Sequence, residues 1–312
     1  MKLYIFKIAS LMIGLFISTQ ILAQQDTVSF LQITDTHLMF NLDLYEKDVV
    51  DHREITRGYK NVNAYFDQFI NTTPKNLNSD YIVITGDIID FHDAKSTIGT
   101  TLPYQIEGFA TLINKSFTRP FLFTLGNHDI FSYEWGEERV IPNQDSSQQA
   151  RATWIRNFQC FSEGTYYSRI INVGKTTYRL IFLDDSYYQY DDKKLNPHLG
   201  LEQAKWFQNE LNASGDDVEI IFMHIPLLDN LEGNQVVEAI KNSPSCKIII
   251  SGHRHRSKIT PIKISENHTL YQIETDALAK SPNNWRLIQL IDNKVNISMT
   301  GDQKVELEVE FH

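Results

Sequence analysis

The chain has 312 residues, of which 42% are hydrophobic and 12% aromatic, so it holds enough apolar material for a folded core and is not intrinsically disordered. Its 29 basic and 39 acidic residues give a formal net charge of −10, which argues against a dedicated nucleic-acid-binding protein, because such proteins carry a basic surface. The presence of only two cysteines, Cys160 and Cys246, excludes a disulfide-rich scaffold, an iron–sulfur protein and a cysteine-ligated zinc module.

The N-terminus has the pattern of a secretory signal peptide, which we predict to comprise residues 1–23. Lys2 and Lys7 form a basic start, residues 8–22 are mostly apolar, and the small Ala23 precedes a polar stretch. The apolar run is shorter than the roughly 20 residues that a membrane-spanning helix needs. An uncleaved N-terminal anchor is the alternative. We therefore expect an exported protein, periplasmic or extracellular, whose mature form has no membrane span.

Export leaves two states open for the cysteines. An oxidising compartment permits a disulfide between Cys160 and Cys246. Two buried thiols are the alternative, and the sequence does not decide between them because it carries no geometry.

The remainder, residues 24–312, alternates between apolar runs and helical patterns. Apolar, β-branched runs predict strands buried on both faces at residues 28–34, 81–85, 121–125, 178–183, 218–223, 247–251 and 270–273. Apolar residues spaced by three or four predict helices within residues 55–69, 106–117, 201–211 and 236–240. This alternation predicts an α/β fold with mainly parallel strands, organised as a single domain.

The last part of the chain has a different pattern. After about residue 284 it becomes all-β, with predicted strands at residues 285–291, 295–299 and 305–311. We expect these strands to complete a second sheet packed on the first.

Five of the predicted strands lead directly into polar side chains. These are Asp35 and His37 after the first strand, Asp87 and Asp90 after the second, Asn127, His128 and Asp129 after the third, His224 after the fifth, and His253 and His255 after the sixth. Each motif by itself has an ordinary explanation, such as a turn residue or a hydrogen-bonded core histidine. Ligands bind outside the carboxyl ends of parallel strands. The position of all five motifs directly after such strands therefore predicts one site at one edge of the fold.

The residue types in this set favour a metal centre. The candidate ligands are Asp35, His37, Asp87, Asn127, His224, His253 and His255. Carboxylate, imidazole and amide donors without a thiolate suit Mn, Zn or Fe. Seven ligands are too many for one four-coordinate ion, but they suffice for two ions if one carboxylate bridges them. Two such ions clamp the attacking and leaving oxygens of an in-line displacement at phosphorus and lower the pKa of bound water toward neutrality.

In their order and residue types, the five segments resemble the signature of the calcineurin-like metallophosphoesterases, over residues 30–255. The resemblance implies a four-layer α/β/β/α sandwich of two mixed β-sheets flanked by helices. It assigns Asp35, His37 and His255 to a first metal ion, assigns Asn127, His224 and His253 to a second, and makes Asp87 the bridge between them. It also implies that His128 and Asn127 contact the substrate and that His128 protonates the leaving oxygen.

Within this superfamily, the chain looks like an exported bacterial-type member, similar to the class III cyclic-nucleotide phosphodiesterase and acid sphingomyelinase-like branches. Purple acid phosphatases use a tyrosine as a metal ligand where this chain has a histidine. The presence of His37 in the first motif argues against that branch.

We therefore expect metal-dependent hydrolysis of phosphoester bonds, in monoesters or diesters, by a metal-bound hydroxide with His128 as general acid. The alternatives are a specific cyclic-nucleotide or lipid phosphodiesterase, then a nuclease, then a catalytically silent metal-binding protein. The expected partner is a small phosphorylated substrate and not a nucleic acid, and the oligomeric state is open.

The segments that shape the substrate pocket are predicted from their place after the strand ends. Loops 91–105 and 130–149 are expected to line the pocket mouth, since specificity is usually carried by such loops. Tyr133, Trp135 and Tyr187 are the aromatic candidates there. The alternative is that these amphipathic side chains only cover the edge of the core.

Overall fold

The computed structural model describes residues 26–116, 119–135, 140–186, 199–227 and 231–311. The predicted signal peptide, residues 1–23, lies outside these residues. Within the described part, none of the helices combines the length and apolarity that crossing a bilayer requires.

The chain alternates between strands and helices along most of its length. The strands are β1 (Thr27–Ile33), β2 (Tyr81–Thr85), β3 (Asp93–Lys95), β4 (Thr101–Leu102), β5 (Phe121–Thr124), β6 (Ser132–Trp135), β7 (Val140–Asn143), β8 (Tyr167–Val173), β9 (Thr176–Phe182), β10 (Val218–Phe222), β11 (Ile248–Ser251), β12 (Lys258–Ser265), β13 (His268–Glu274), β14 (Arg286–Ile291), β15 (Lys294–Ser298) and β16 (Val305–Glu310). The α-helices are α1 (Lys47–Asp51), α2 (Val62–Leu77), α3 (Gln105–Ser116), α4 (Ser147–Asn157), α5 (Leu201–Ala213) and α6 (Gln235–Ile240). A π-helical turn, His52–Thr56, follows α1 directly.

Two six-stranded mixed sheets form the centre of the fold. The first has the order β16-β15-β14-β1-β2-β5, with β1, β2 and β5 parallel. The second has the order β12-β13-β11-β10-β9-β8, with its four central strands parallel. The predicted buried strands are therefore the parallel strands of the two sheets, and all of them except β5 lie inside their sheet.

The C-terminal strands lie in a different place from the one expected. β14 pairs antiparallel with β1, and β15 and β16 follow it, so they extend the first sheet and do not complete the second. The second sheet is completed instead by β8 and β12, two edge strands that the sequence analysis did not identify. Both have largely exposed or half-buried side chains, so they lack the apolar run of a central strand.

A third, four-stranded sheet has the order β4-β3-β6-β7 and lies within the segments expected to be loops 91–105 and 130–149. It was missed because these strands are only two to four residues long. The helix α4 was also missed. Its buried face includes Ser147, Arg151 and Thr153, which weaken the apolar period of a helix.

The second sheet is buried on both faces, which establishes the layers. Phe182 and Phe222 face the first sheet, and the ring centroid of Phe222 lies 5.7 Å from that of Phe30 on β1. The alternate residues Ile181 and Ile221 face the other way, into a cluster with α5 and α6. Helices α2, α3 and α4 contribute the apolar side chains that cover the first sheet. The predicted α/β/β/α sandwich is therefore confirmed.

The two cysteines are free thiols, so of the two alternatives the disulfide is wrong. Cys246 is buried in the cluster of α5 and α6, whereas half-buried Cys160 packs against the core that includes β1 and β5. The two side chains thus belong to separate clusters.

Trp154 on α4 offers a direct test of this packing. Its indole is fully buried, its ring centroid lies 4.9 Å from that of Phe158, and its Nε1 donates to the Asp129 carbonyl at 3.0 Å. We expect Trp154→Ala to lower the free energy of unfolding by about 3–5 kcal/mol in urea denaturation. Leu201→Ala is the control, since Leu201 is 76% exposed and its truncation should change little. A loss below about 1 kcal/mol for Trp154→Ala would contradict this account of the core.

Candidate metal centre

The backbone holds the predicted ligand segments side by side beyond the ends of the strands. The amide of Asp35 donates to the Gly86 carbonyl at 3.0 Å, and the amide of His37 donates to the Asp87 carbonyl at 2.9 Å. Across the second sheet, the amide of Gly252 donates to the His224 carbonyl at 3.0 Å. Motifs far apart in sequence therefore meet because their strands are neighbours.

Unusual backbone conformations are concentrated in these segments. Five of the predicted ligands have a positive φ, between 44° and 66°: Asp35, His37, Asp87, His253 and His255. A left-handed conformation is uncommon for residues other than glycine, and such strain is found preferentially at functional sites. These strained backbone conformations therefore lower the stability of the folded protein and orient the side chains of the site.

Two motif glycines are required by the close approach of these segments. A Cβ on Gly252 would lie 1.9 Å from Oγ1 of Thr34. Gly86 has a φ of +82°, and a Cβ there would lie 2.5 Å from Nδ1 of His224. Only glycine allows the first and second sheets to meet this closely at their edge.

The two aspartates each use one oxygen to hold the protein and direct the other into the site. Oδ2 of Asp35 accepts from the Thr34 hydroxyl at 2.7 Å and from the His253 amide at 3.0 Å. Its Oδ1 lies 3.0 Å from Nε2 of His255. Oδ1 of Asp87 accepts from the His128 amide at 2.8 Å, which leaves Oδ2 directed into the site.

Oδ2 of Asp87 lies between two groups of histidines. It is 3.8 Å from Nε2 of His37 and 3.2 Å from Nε2 of His224. The ligand atoms of Asp35, His37 and His255 lie within 4.8 Å of one another, and so do those of Asp87, His224 and His253. Asp87 therefore lies between two groups of side chains that could each hold an ion.

The donor atoms fit metal ions. Nδ1 of His224 lies 2.7 Å from the Thr85 carbonyl, which can only accept, so in its neutral form His224 presents the lone pair of Nε2 to the site. Oδ1 of Asn127 is buried without a hydrogen-bond partner among the described residues, and Nε2 of His224 faces the Asp87 carboxylate at 3.2 Å. Buried polar atoms are normally paired, and a cation would satisfy the Asn127 oxygen. The nitrogen and oxygen donors suit Mn, Zn or Fe.

Without cations, the negative charges of the aspartates in this cluster are compensated by protonated histidines. Burial lowers the pKa of His224, but the Asp87 carboxylate more than offsets this and raises it to about 10. Burial raises the pKa of Asp35, but His255 more than offsets this and the pKa falls to about 2. Burial lowers the pKa of His253 to about 4, with a further contribution from His224. Because metal ligands must be deprotonated, cation binding here would release protons.

His128 lies beside this cluster with a defined orientation. Its Nδ1 is 2.7 Å from the Asp90 carbonyl, so it donates there and leaves Nε2 for another partner. Its ring centroid lies 4.7 Å from that of His37. Burial lowers the pKa of His128 to about 3, and the neighbouring Arg57 contributes to this shift. His128 is therefore neutral without substrate, and its Nε2 acts as an acid only once the negative charge of a bound phosphoryl group raises its pKa.

The profile of the calcineurin-like phosphoesterases matches residues 28–257, which is most of the chain. The chain belongs to the calcineurin-like phosphoesterase family. It is therefore a phosphoester hydrolase, and its Asp and His clusters form the candidate metal centre of this family. No curated protein shows significant sequence similarity to it.

Solved structures support the fold of this calcineurin-like phosphoesterase. A dimetal phosphatase from Danio rerio superposes with a TM-score of 0.60 at 13% identity, covering 91% of this chain and 99% of that one. A purple acid phosphatase from yellow lupin gives a TM-score of 0.54 at 11% identity, covering 92% of this chain and 54% of that one. The Plasmodium protein GAP50, described as an anchor in the inner membrane complex, gives a TM-score of 0.50 at 13% identity, covering 92% of this chain and 89% of that one. At these identities the likeness concerns the fold alone.

Asp129, the last residue of the third motif, stabilises the loop by accepting hydrogen bonds from three backbone amides. Its Oδ1 accepts from the amides of Ile88 and Ile89 at 2.8 and 3.0 Å, and its Oδ2 accepts from the Gly126 amide at 2.7 Å. Burial raises the pKa of Asp129 to about 8, with a further rise from Asp87. Asp129 therefore ties the third motif of the phosphoesterase to the second.

Asp90 lies behind the histidines of the phosphoesterase site. Its buried carboxylate is 3.5 Å from Nδ1 of His37, on the side of the ring opposite the cluster, and 3.8 Å from Nδ1 of His128. Burial raises its pKa, but Arg57 and His37 more than offset this and hold it well below its usual range. Asp90 is placed to orient His37 as a carboxylate partner of a metal ligand.

Asp185 is a positioning residue that the sequence analysis missed. It follows β9 and accepts from the amides of His224 and Ile225 at 2.8 Å each. We expect Asp185→Ala to weaken binding of the more weakly held metal ion by about 10- to 100-fold, because the fourth motif loses its anchor. Titration of the metal-free protein with Mn²⁺ in a calorimeter measures this. Asp216→Ala, at an exposed turn, is the control, and equal affinities in both variants would contradict the role of Asp185.

The predicted pocket residues have different outcomes. Tyr133 is 5% exposed, and its hydroxyl lies 2.6 Å from the Arg57 guanidinium and 3.5 Å from Nδ1 of His128, so it faces the site. Trp135 ends β6, where the structure describes its backbone only. Tyr187 lies outside the described residues. Arg57 lies beside His128 and Tyr59 lies beside His37. Neither residue was predicted, because no strand end precedes them.

Proposed function

We propose that the protein hydrolyses a small phosphorylated substrate at a dinuclear centre held by Asp35, His37, Asp87, Asn127, His224, His253 and His255. The observation that carries the proposal is the position of Oδ2 of Asp87, within 3.8 Å of Nε2 of both His37 and His224. When bound, two metal ions would supply the charge that binds the phosphoryl oxygens and an activated water as nucleophile.

The chain's own residues perform the rest of the reaction. Asp87 and Asp35 hold the two ligand groups at a fixed separation, because each carboxylate is tied to the backbone by one oxygen. His128 is oriented by the Asp90 carbonyl, so its Nε2 is the atom that would deliver a proton to the departing oxygen. Metal identity within Mn, Zn and Fe is part of the proposal, on the grounds of the donor types.

We further propose that the mature protein comprises residues 24–312 and is exported to the periplasm or the extracellular space. The support is the basic start, the short apolar run and the small residue at position 23. Removal of Lys2 and Lys7 leaves 27 basic and 39 acidic residues, a formal net charge of −12. A chain of this charge suits small esters better than nucleic acids as substrates.

The test is hydrolysis of 4-nitrophenyl phosphate and bis(4-nitrophenyl) phosphate by the purified protein with Mn²⁺ or Zn²⁺. A higher monoester rate identifies a phosphatase, and a higher diester rate identifies a phosphodiesterase, for which cyclic nucleotides and lipid headgroups come next. Absence of both activities with two metal ions bound would overturn the proposal and favour a catalytically silent metal-binding protein.

A further inference from the structure

An arginine lies beside the proposed general acid and is not among the predicted metal ligands. Arg57 follows the π-helical turn His52–Thr56, and its Nη1 lies 3.2 Å from Nε2 of His128. The same Nη1 lies 3.3 Å from Nδ1 of His128, so the guanidinium faces the imidazole between its two nitrogens. The atom that would protonate the leaving oxygen is therefore adjacent to a fixed positive charge.

Arg57 shares a carboxylate with a second arginine. Arg53 is buried and lies 3.8 Å from Asp90, while Arg57 lies 3.5 Å from the same carboxylate. Two guanidinium groups thus flank the carboxylate of Asp90. The guanidinium of Arg53 donates hydrogen bonds to the carbonyls of Tyr59 and His37. The side chain of Arg57 is 21% exposed, so its guanidinium lies where a ligand can reach it.

Two phenols extend this cationic group. Arg57 donates to the hydroxyl of Tyr133 at 2.6 Å and to the hydroxyl of Tyr59 at 3.2 Å. A phenol that accepts from a guanidinium still has its own O–H to donate. The Tyr59 ring also stacks on His37 at 4.6 Å, which fixes it beside the metal ligands. Arg57, Tyr59 and Tyr133 together present several donors and no acceptor charge.

We infer that Arg57, Tyr59 and Tyr133 form an anion subsite that binds a second phosphoryl group, carried by the leaving group of the substrate. The inference rests on the proposed function, because it assumes that the leaving group departs on the side of the site where His128 lies. The tetrahedral shape of a phosphoryl group places its bridging and non-bridging oxygens next to each other. Adjacent donors on His128 and Arg57, 3.2 Å apart, match such a pair of oxygens.

In the reaction that this subsite favours, a P–O–P bond breaks. The oxygen of water bonds to the attacked phosphorus and releases its proton to solvent. The bridging oxygen departs with the leaving phosphate and takes a proton from Nε2 of His128, which solvent then restores. Arg57 holds the non-bridging oxygens of that leaving phosphate by charge-assisted hydrogen bonds. A diphosphate is thereby hydrolysed to two monophosphates without any oxidant or co-reactant.

Binding tests the subsite independently of turnover. In calorimetry with Mn²⁺-loaded protein, methylenediphosphonate carries the second phosphonate and methylphosphonate lacks it. We expect Arg57→Ala to weaken diphosphonate binding by about 10- to 100-fold relative to monophosphonate binding, with partial recovery in Arg57→Lys. Arg119→Ala removes the same charge at an exposed position and should leave both affinities unchanged. Equal losses for both ligands in Arg57→Ala would overturn the inference.

Turnover gives a second readout, the ratio of kcat/KM for ADP to kcat/KM for AMP, measured by phosphate release. We expect the ratio to fall by about 10- to 100-fold in Arg57→Ala and by less in Tyr133→Phe. If Arg57 only positions His128, both substrates lose equally and the ratio stays constant, which overturns the inference and leaves the proposed function intact. If the wild type hydrolyses neither nucleotide nor a nitrophenyl ester, the proposed function fails, and the binding comparison still decides the subsite.

Discussion

Replacing Asp87 with alanine is expected to remove at least one metal ion and nearly all hydrolysis. Its Oδ2 faces Nε2 of both His37 and His224, which belong to the two predicted ligand groups. Loss of even an indirect partner of a metal ligand costs about 10- to 100-fold, and we expect a loss of more than about 100-fold here. Metal content after dialysis, measured by inductively coupled plasma mass spectrometry, and the rate on a nitrophenyl ester check the result.

Two further variants make the Asp87 result interpretable. Asp87→Asn keeps the size of the side chain and the acceptor for the His128 amide but removes the charge, so it should also lose metal while remaining folded. Asp67→Ala removes a carboxylate from the exposed face of α2 and should behave as the wild type. Wild-type activity and two bound ions in Asp87→Ala would rule out a bridging role.

Replacing His128 with alanine is expected to lower turnover by about 10²- to 10⁴-fold and to leave the metal content unchanged. His128 is held by the Asp90 carbonyl through Nδ1, and its Nε2 is the proton-donating atom in the proposed reaction. The metal measurement is essential, because a ring nitrogen of His128 also lies within 4.8 Å of ligand atoms of His37 and Asp87. Loss of an ion in this variant would show that His128 is a ligand.

The leaving group distinguishes a proton donor from a residue that only contacts phosphate. 4-Nitrophenolate departs readily without a proton, whereas an alkoxide does not. The loss in His128→Ala should therefore be larger for an alkyl phosphate than for the nitrophenyl ester. Equal losses for both esters would assign His128 to phosphate binding and not to general-acid catalysis.

The central fold could be predicted because its strands are buried on both faces. Phe182 and Ile181 are neighbours on β9, yet one faces the first sheet and the other faces the helices, so the sequence has no polar residue at either position. Edge strands do not have this constraint. β8 and β12 expose many side chains, and the short strands of the third sheet have too few residues to show any period.

The candidate ligands could be predicted because each follows a strand directly. Asp35, Asp87 and His224 lie at the carboxyl ends of parallel strands, and parallel strands place these ends at one edge. Arg57, Tyr59 and Asp185 were missed for a related reason. Arg57 and Tyr59 are in a connecting segment, and Asp185 follows a strand but uses its carboxylate on the backbone, so the sequence does not show what they contact.

The sequence by itself determined which segments are buried strands, which side chains leave their ends and which chemistry those side chains suit, because periodicity and residue type are local properties. Only the tertiary structure decided that β14 lies beside β1, that Cys160 and Cys246 are apart, and that Arg57 lies on His128. These relations depend on which surfaces pack together across long sequence separations. That packing minimises the exposed apolar surface of the whole chain, and no short stretch of residues encodes it.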